Sequence, residues 1–423
     1  MSRPRGFVVI TGSELVRGDR TDLNGPFLAG ELLGLGVEPA RISIVGDDAA
    51  ELEAALREGL EADLCLVSGG LGPTHDDRTV EIVARAAGRE LVVDEALETE
   101  IEATSRAVAE RLRRPYADFA SGVRKQATLP RGAVVLGIAG TAPGLVLETN
   151  RGAVVVLPGP PPELRRLWPR ALETGAVQAV LSRARVPERR VLRFYGASES
   201  EIATALAESG GEGDGVTATV CARDFEIHVD LFADQEGRQR AGELAAGLRS
   251  RAGRNLFAED ERPVEELVLD LCRKRGLTLA TAESSTGGLV AARLTSVPGS
   301  SDVFVGAVVA YSNEIKVSEL GVPVAVIERH GAVSAETAAA MAAGARARLG
   351  ADVAVAVTGI AGPGGGSAEK PVGLVYLHAE AQDGSGAREL NLPGDRDAVR
   401  GRATVAALHL VRTLLARSRD EAA

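Results

Sequence analysis

The stretch DLCLVSGGLGPTHDDRTVEIV, residues 63–83, joins a short apolar run to a glycine-rich turn and then to a helical pattern. The turn carries three glycines and a proline, at Gly69, Gly70, Gly72 and Pro73. A continuous apolar run that ends at such a turn is typical of a strand buried on both faces of a parallel sheet. The sequence therefore predicts an α/β fold in which this turn lies at the carboxyl edge of the sheet.

The segments on either side repeat this alternation of short apolar runs and helical patterns. We predict strands at residues 7–10, 41–45, 63–68, 134–138 and 153–157. We predict helices at residues 26–35, 49–61 and 79–87. This alternation indicates a parallel sheet with helices on both faces, closed by the proline-rich turn LPGPPPE at 157–163. The first domain is expected to span residues 1–172.

Two further regions follow. Residues 185–255 combine two-residue alternation with two helical patterns, which predicts a small α+β subdomain that serves as a spacer or a dimer contact. Residues 262–418 return to apolar runs, glycine turns and helices, with predicted helices at 265–275, 283–294, 335–349 and 397–416. The predicted fold class is therefore two α/β domains with mainly parallel sheets, joined by a small α+β subdomain.

The composition restricts the function. The 423 residues include 48 Lys and Arg against 59 Asp and Glu, a formal net charge of −11. This balance argues against direct nucleic-acid binding and against electrostatic attachment to anionic membranes. Three widely spaced cysteines in or beside apolar runs indicate a reducing compartment and no thiolate zinc site. No apolar run is long enough for a membrane span or a signal-peptide core, so we predict a cytoplasmic protein.

The glycine turn of the first domain has features of both a phosphate site and a metal site. Backbone N–H groups in front of a helix N-terminus favour a phosphate, here with Thr74 and the turn residues as substrate contacts. Asp76 and Asp77 would repel a bare phosphate, but a divalent cation between the acids and the phosphate oxygens would explain them. The alternative is that both carboxylates cap the following helix.

A second loop is expected at the same edge of the sheet, after the first strand. It carries Glu14, Asp22 and Asn24. Loops that follow parallel strands gather at the carboxyl edge, where ligands bind in doubly wound sheets. We therefore predict that these three side chains contribute to the same nucleotide site.

The segment TAESSTGG, residues 281–288, is the corresponding strand-to-helix turn of the second α/β domain. It contains Ser284, Thr286, Gly287 and Gly288. A serine at such a turn can present its hydroxyl beside backbone N–H groups that would bind an oxyanion. The alternative is an ordinary helix N-cap. No histidine is placed as its base, so a serine–histidine triad is not indicated.

Lys316 is the better candidate for the base. It lies in GAVVAYSNEIKVSELGV, residues 306–322, just after a strand expected near the first, and it is one of only four lysines in the chain. A desolvated lysine can lose its charge near neutral pH, whereas the alternative is a solvated lysine on a helix. Tyr311 and Asn313 beside it could donate to a carbonyl or a phosphate.

A second glycine loop, within residues 358–373, is another candidate for substrate binding. Its glycines include Gly359, Gly362 and Gly364. Such a loop can accept a phosphate, and the alternative is a flexible hairpin-like connection.

These motifs resemble those of one family. ITGSELVRGDRTDLN (10–24) and SGGLGPTHDDRT (68–79) are similar to the nucleotide- or pterin-binding domain shared by molybdenum-cofactor biosynthesis proteins and the N-terminal half of the competence/damage-inducible CinA family. AESSTGG, VPGSSDVFVGAVVAYSNEIKV, HGAVSAETAAAMA and TGIAGPGGGSAEKPVGLVY resemble the C-terminal CinA domain, the nicotinamide mononucleotide deamidases known as PncC. The resemblance extends over nearly the whole chain.

The resemblance implies two hydrolytic activities in pyridine-nucleotide recycling. The C-terminal domain would convert nicotinamide mononucleotide to nicotinate mononucleotide and ammonia without a cofactor, with Ser284 as nucleophile, Lys316 as general base, and Tyr311 and Thr286 as helpers. The N-terminal domain would cleave ADP-ribose to AMP and ribose 5-phosphate with a divalent ion (Mg, Mn or Co), for which the acids Asp76 and Asp77 are the predicted ligands. The family also suggests a homodimer.

The chain departs from the family pattern at two positions. Ser13 stands where the family has an aspartate, which favours an alternative: a nucleotide- or pterin-binding regulator linked to competence or DNA repair, with degenerate N-terminal catalysis. Ser285 stands where the family commonly has a cysteine, which places two serines side by side, and position favours Ser284 as the nucleophile. A molybdopterin-handling enzyme is a third alternative, in which the C-terminal half has no role.

Overall fold

The structure is a computed structural model that describes residues 3–417. It divides into two units, of which the first ends at Pro187 and the second begins at Glu188. Within residues 3–417, no helix has both the length and the apolar composition that crossing a bilayer requires. The predicted domain bounds at residues 1 and 418 lie outside the described range.

The first unit contains eight strands and eight helices in the described residues. The strands are β1 (Arg5–Thr11), β2 (Glu38–Val45), β3 (Leu64–Ser68), β4 (Leu91–Val93), β5 (Thr128–Pro130), β6 (Val134–Ala139), β7 (Ala142–Glu148) and β8 (Ala153–Leu157). The helices are α1 (Ser13–Val16), α2 (Asn24–Gly34), α3 (Ala49–Gly59), α4 (Thr79–Ala86), α5 (Glu95–Leu112), α6 (Ala117–Gln126), α7 (Pro161–Leu172) and α8 (Gly175–Leu181).

The main sheet of this unit has the strand order β2-β1-β3-β8-β7-β6. The pairs among β2, β1, β3 and β8 are parallel, and β7 and β6 complete the sheet as antiparallel strands. Phe7 and Val9 face one core while Val8 and Ile10 face the other, which explains the unbroken apolar run of β1. Because β2 and β3 flank β1 on opposite sides, the chain reverses direction across the sheet beside β1, which is where ligands bind in such folds.

The second unit contains nine strands and eight helices in the described residues. The strands are β9 (Glu188–Phe194), β10 (Val216–Arg223), β11 (Glu226–Ala233), β12 (Leu256–Ala258), β13 (Leu279–Glu283), β14 (Phe304–Val309), β15 (Val353–Gly359), β16 (Leu374–Ala381) and β17 (Gly384–Asn391). The helices are α9 (Glu199–Glu208), α10 (Arg238–Ala252), α11 (Val264–Arg275), α12 (Leu289–Thr295), α13 (Asn313–Leu320), α14 (Val324–His330), α15 (Ala335–Leu349) and α16 (Arg396–Arg417), with 3₁₀ turns at Gly253–Asn255 and Ser300–Asp302.

Two sheets organise this unit. The small sheet is antiparallel in the order β10-β11-β9-β12, and α9 and α10 complete an α+β subdomain around its own core. The larger sheet has the order β14-β13-β15-β16-β17, in which β13 pairs in parallel with both β14 and β15. The predicted fold class is therefore confirmed, and each larger sheet has a central strand, β1 or β13, flanked by parallel neighbours.

The two faces of the larger sheet differ in side-chain size. Val353, Val355 and Val357 of β15 face one core, whereas Ala354 and Ala356 face the core that also contains side chains of the alanine-rich α15. Small side chains on both surfaces let this helix pack closely on the sheet. The carboxyl ends of β13 and β15 are thereby held as a rigid base for the loops that follow them.

Three local differences from the predicted elements have simple causes. The predicted helix 283–294 begins only at Leu289, because β13 runs to Glu283 and the turn holds Gly287 and Gly288 at φ of +63° and +97°. The predicted closing turn 157–163 already contains the start of α7 at Pro161, where a proline costs no hydrogen bond. Strand β12 belongs to the small sheet although it lies beyond residue 255.

Candidate active sites

The first candidate site lies at the carboxyl end of β13. Ser284 directly follows this central strand, and its backbone N–H donates to the carbonyl oxygen of Val357 on the neighbouring β15 at 2.9 Å. The Ser284 side chain is buried to 9% exposure. The hydroxyl is therefore fixed at the edge of the sheet between loops that follow three strands.

Lys316 is the hydrogen-bond partner of this serine. Its Nζ lies 3.1 Å from Ser284 Oγ and donates to the carbonyl oxygens of Ala310 at 2.8 Å and Tyr311 at 3.3 Å. The side chain is only 1% exposed, and burial lowers the pKa of Lys316 from its ordinary value. It is therefore not a solvated helix lysine, and its neutral amine can accept a proton from Ser284.

The turn after Ser284 presents donors for a developing negative charge. The N–H groups of Ser285 and Thr286 have no acceptor within the described residues. The carboxylate of Glu283 instead takes the N–H groups of Gly288, Val290 and Ala291 at 2.8–3.1 Å. Glu283, and no serine, therefore caps α12, and the two preceding N–H groups are available as an oxyanion hole.

The structure distinguishes the two adjacent serines by their partners. Ser285 Oγ and Thr286 Oγ1 are buried and have no hydrogen-bond partner in the described part of the chain. Only the hydroxyl of Ser284 contacts Lys316. The geometry thus favours Ser284 as the nucleophile, and the two orphaned hydroxyls beside it could bond to a substrate.

Arg396 and Arg400 connect the loops around Ser284, and the sequence analysis missed both. Arg396 donates to the carbonyl oxygen of Gly362 at 2.7 Å and to the Tyr311 hydroxyl at 2.9 Å. Arg400 donates to the carbonyl oxygen of Thr286 at 3.0 Å. Both arise from the start of α16, and they bring positive charge to the loops around Ser284.

The remaining predicted residues of this site lie farther from the reacting pair. The Tyr311 ring is 61% exposed and points to Arg396, so only its backbone oxygen contacts Lys316. Asn313 begins α13 and is exposed. Gly359 and Gly362 lie against Val375 and Val372, where an added Cβ would approach to 2.7 and 2.6 Å, so the loop needs glycine at both positions. Gly364 has open space around it.

The second candidate site is a cavity of about 670 Å³ at the carboxyl edge of the first sheet. Its wall is formed by the loops after β1, β2, β3 and β8. Six carboxylates and one arginine line it: Glu14, Asp22, Asp47, Asp76, Asp77, Glu163 and Arg20. Asp47, Glu163 and Arg20 were not predicted, although Asp47 lies two residues after the end of β2 and its position at the same edge could have indicated it.

The glycine turn, residues 69–72, exposes its backbone to this cavity. Gly69 and Gly70 have φ of +105° and +66°, and an added Cβ would lie 2.5 Å from the Thr11 carbonyl oxygen and 2.2 Å from Thr79 Oγ1 respectively. The N–H groups of Gly70, Leu71 and Gly72 have no acceptor in residues 3–417. The turn therefore has the free donors that a phosphate requires.

The two aspartates of the turn do not cap the next helix. Helix α4 has Arg78 at its N-cap and no side-chain cap. Asp77 accepts from the backbone and the hydroxyl of Thr74, and Pro73 packs against Gly122. Asp76 is exposed to the cavity, and the neighbouring Thr74 hydroxyl lowers the pKa of its carboxyl. The capping alternative is thus wrong, and the Asp76 carboxylate lines the cavity, 3.9 Å from His75 Nδ1.

The loop after β1 is tied to the rest of the site. Asn24 is buried and donates to Ser68 Oγ at 3.0 Å and to the Gly159 carbonyl oxygen at 2.7 Å. Asp22 accepts from the first N–H groups of α2, which explains why this helix starts before the predicted residue 26. Ser13 shares a short hydrogen bond with Asp47. A carboxylate therefore remains beside the position where the family has its aspartate.

The acidic cavity is suited to a cation shared with a ligand. Among the described residues, no three metal-binding side chains converge closely enough to hold an ion alone. Carboxylates around a cavity that also exposes free N–H groups could hold a divalent ion together with a phosphate, with Asp76 and Asp77 as the nearest carboxylates of the turn.

A smaller cavity of about 260 Å³ adjoins the first across the glycine turn. Gly70, Leu71 and Gly72 line both cavities. The side chains of Val80, Leu91 and Pro143 give the smaller one an apolar wall. A ligand with an anionic part and a flat apolar part would fit the two together.

Comparison with known proteins identifies both halves. A family model described as the CinA C-terminal domain matches residues 261–415, and one described as a probable molybdopterin binding domain matches residues 7–174. A CinA-like protein of Mycobacterium tuberculosis is 47% identical, with 97% of each chain covered, and that of Mycobacterium leprae is 45% identical with the same coverage.

Solved structures match parts of the chain. The competence/damage inducible protein CihA of Agrobacterium tumefaciens is 43% identical and covers 37% of this chain and 99% of its own, with a TM-score of 0.35. The CinA protein of Thermoplasma acidophilum, described as having unknown function, is 32% identical and covers 42% of this chain and 98% of its own, with a TM-score of 0.36.

Proposed function

Because this chain belongs to the CinA family and carries a molybdopterin-binding-like N-terminal domain, we propose that it is a bifunctional hydrolase of nucleotides. Its C-terminal site would deamidate nicotinamide mononucleotide, and its N-terminal site would cleave ADP-ribose. The observation that carries the first proposal is the 3.1 Å contact between buried Lys316 and Ser284. A cytoplasmic location and a homodimer remain predictions from the sequence.

The geometry of the first site supports the following mechanism for the proposed deamidation. Neutral Lys316 takes the Ser284 proton as Oγ attacks the amide carbon, and the N–H groups of Ser285 and Thr286 stabilise the oxyanion. The protonated lysine then passes its proton to the amide nitrogen, and the C–N bond breaks to release ammonia. Water, deprotonated by Lys316, hydrolyses the ester to nicotinate mononucleotide and restores Ser284.

Arg396 and Arg400 supply the charge that a nucleotide substrate needs. Their guanidinium groups bridge the loops at 286, 311 and 362 and could bind a phosphate in the planar, bidentate manner typical of arginine. We expect the site to prefer nicotinamide mononucleotide over nicotinamide riboside, which lacks the phosphate.

The experiment measures, by chromatography, the conversion of nicotinamide mononucleotide and of nicotinamide riboside to the corresponding acids. The wild-type protein should convert the mononucleotide, with kcat/KM at least about tenfold above that for the riboside. Arg400→Gln should reduce this preference, whereas Arg251→Gln, at an exposed ion pair of the α+β subdomain, is the control and should keep it. Equal rates for both compounds would refute a phosphate-binding role of the arginines.

The proposal for the second site rests on its acidic cavity beside a donor-rich turn. The N–H groups of 70–72 would bind the pyrophosphate of ADP-ribose, and Asp76, with Asp77 nearby, would hold a divalent ion of the Mg, Mn or Co type. When bound, that ion would neutralise phosphate charge and polarise the phosphorus centre. The other carboxylates could orient a water for attack on phosphorus, which yields AMP and ribose 5-phosphate.

The smaller cavity would accept the adenine ring of this substrate. Its apolar wall and its volume of about 260 Å³ suit a flat base, and its junction with the glycine turn places that base next to the phosphates. The experiment is AMP release from ADP-ribose with each metal. Asp76→Asn should abolish it, and Glu90→Gln, an exposed ion-pair residue of the same unit, should not. Retained activity in Asp76→Asn would refute the proposed metal ligand.

A second candidate for the N-terminal site is a nucleotide- or pterin-binding regulator. The description of the matched model as a probable molybdopterin binding domain favours it, as does Ser13 in place of an acid. Calorimetric titration with a pterin and with ADP-ribose separates the two. Binding of the pterin alone, without AMP release from ADP-ribose, would favour the regulator.

A further inference from the structure

The hairpin between β10 and β11 ends in an unusual turn. Its two central residues, Asp224 and Phe225, have φ of +51° and +66°, in the left-handed region that glycine and asparagine normally occupy. A bulky residue held there costs free energy, which the surrounding structure must offset. The contacts of the Phe225 side chain are therefore expected to offset this cost.

Phe225 packs on the start of helix α16. An added Cβ at Gly401 would lie 2.6 Å from Phe225 Cε2, so the ring lies directly on the bare backbone of this glycine. The Arg402 guanidinium lies over the ring, 4.7 Å from its centroid. The hairpin tip thus contacts one turn of α16 at Gly401 and Arg402.

The same end of α16 reaches the Ser284 site. Arg400, next to Gly401, donates to the Thr286 carbonyl oxygen. Arg396 lies about 8 Å before Gly401 along the helix and donates to the Gly362 carbonyl oxygen and the Tyr311 hydroxyl. A shift of this turn would move both guanidinium groups away from the loops they bridge.

A second contact anchors the hairpin farther along α16. Glu226, adjacent to Phe225, is 5% exposed and lies 2.6 Å from His409 Nε2. The His409 ring stacks on Tyr195 at 3.8 Å between centroids. The α+β subdomain is therefore fixed to α16 at two points, and the tip is not a freely moving loop.

We propose that the tip of the β10–β11 hairpin positions the Ser284 site, with Phe225 holding the first turns of α16 so that Arg396 and Arg400 stay on the loops around the nucleophile. Phe225 is a positioning residue, because it touches α16 and not the reacting atoms. The kinetic part of this proposal rests on the proposed deamidase function. The α+β subdomain would thereby control how firmly the other half of its unit binds substrate.

The first test is the kinetics of nicotinamide mononucleotide deamidation. Phe225→Ala should raise KM about five- to tenfold and leave kcat within about twofold, because a phosphate contact acts equally on substrate and transition state. Phe225→Tyr, which keeps the ring, should restore KM. Phe232→Ala is the matched control: Phe232 lies on β11, the strand that follows the turn, and its ring contacts Arg189. An equal KM rise in this control would overturn the proposal.

The variant Gly401→Ala tests the positioning of α16 without a loss of folding stability. Alanine favours the helix over glycine, yet its Cβ would displace the Phe225 ring. We expect KM to rise without a fall in Tm, and no further rise when the substitution is added to Phe225→Ala. An unchanged KM in Gly401→Ala would contradict the proposal.

Hydrogen exchange provides a readout that does not need the activity. In Phe225→Ala, the amides of residues 396–402 and 284–288 should exchange faster than in the wild-type protein, whereas Phe232→Ala should leave them unchanged. If the wild-type protein did not deamidate the mononucleotide, the proposed function would fail while this comparison still tested the positioning. Unchanged exchange at both segments in Phe225→Ala would overturn it.

Discussion

A buried lysine that donates to two carbonyl oxygens and contacts a serine hydroxyl is held where its charged form is disfavoured. Lys316 has no carboxylate among its hydrogen-bond partners, which are Ser284, Ala310 and Tyr311. Burial lowers its pKa, so a larger fraction of the amine is neutral at a given pH than in an exposed lysine. This property suits Lys316 to the role of base that we propose for it, and it also makes the buried amine costly for the fold.

The first prediction concerns the pH dependence of deamidation. The value of kcat/KM should rise with pH as Lys316 loses its proton and should level off below pH 10.5, the ordinary value for lysine. Lys316→Arg, which stays protonated, should lower kcat about 10²- to 10⁴-fold. A value of kcat/KM that does not change with pH below 10.5, or substantial activity in Lys316→Arg, would argue against the lysine as base.

The same residue gives a prediction about stability. Because the folded state disfavours the ammonium form, Lys316→Met should raise the free energy of unfolding at pH 7, by on the order of 1 kcal/mol, while it abolishes activity. The gain should shrink as the pH rises toward the pKa of an unfolded lysine. Urea titrations at pH 7 and pH 10 measure it, and a loss of stability at pH 7 would contradict the account.

At the residue scale, the sequence suggested that Ser284 and Lys316 lie together, which the structure shows, but it did not indicate the arginines around them. Ser284 and Lys316 follow the two strands β13 and β14, and parallel pairing brings the ends of adjacent strands together, so their proximity follows from topology. Arg396 and Arg400 gave no such signal, because 44 of the 48 basic residues are arginine and both lie on the last helix. Their placement depends on how α16 packs, which periodicity does not specify.

At the element scale, the contact between β11 and α16 should be sensitive to acid. Burial lowers the pKa of His409, whose Nδ1 accepts from Arg412. Burial raises the pKa of Glu226, but hydrogen bonds from His228 and His409 outweigh this effect and place it below its usual value. Both groups therefore contribute stability at neutral pH that is lost on acidification, for His409 as the pH falls below about 6.5.

The corresponding prediction uses His409→Gln, which can still donate to Glu226 but does not titrate. Between pH 7 and pH 5, the free energy of unfolding should fall less in this variant than in the wild-type protein. Urea denaturation of the two proteins at both pH values measures the difference. Thr413→Val, at a non-titrating residue one turn later on the same helix, is the control and should keep the wild-type slope. Identical slopes in His409→Gln and wild type would contradict the prediction.

The elements that sequence reasoning missed bury few apolar side chains, so their sequences show little periodicity. Strand β17 is largely exposed and has no apolar alternation, and its register is fixed only by pairing with β16. Helix α5 buries just Leu97, Ile101, Ser105 and Ala109 on a narrow stripe, so its pattern is weak. Buried strands such as β3 and β8, by contrast, were predicted within a residue, because burial on both faces requires an unbroken apolar run.

At the scale of the whole molecule, the two candidate sites belong to different units, and the activities that we propose for them differ in their need for a metal ion. A chelator should therefore abolish AMP release from ADP-ribose and leave ammonia release from nicotinamide mononucleotide unchanged. Ser284→Ala should have the opposite effect, and Glu90→Gln should affect neither. Loss of both activities on chelation would contradict a metal-independent C-terminal site.

The measurement that tests the central claim most directly is the initial rate of ammonia release from nicotinamide mononucleotide in the presence of chelator. We predict release by the wild-type protein and by Ser285→Ala, and a loss of at least about 10³-fold in both Ser284→Ala and Lys316→Ala. No ammonia from folded wild-type protein, or full activity in Ser284→Ala, would contradict the assignment of Ser284 and Lys316 as the catalytic pair.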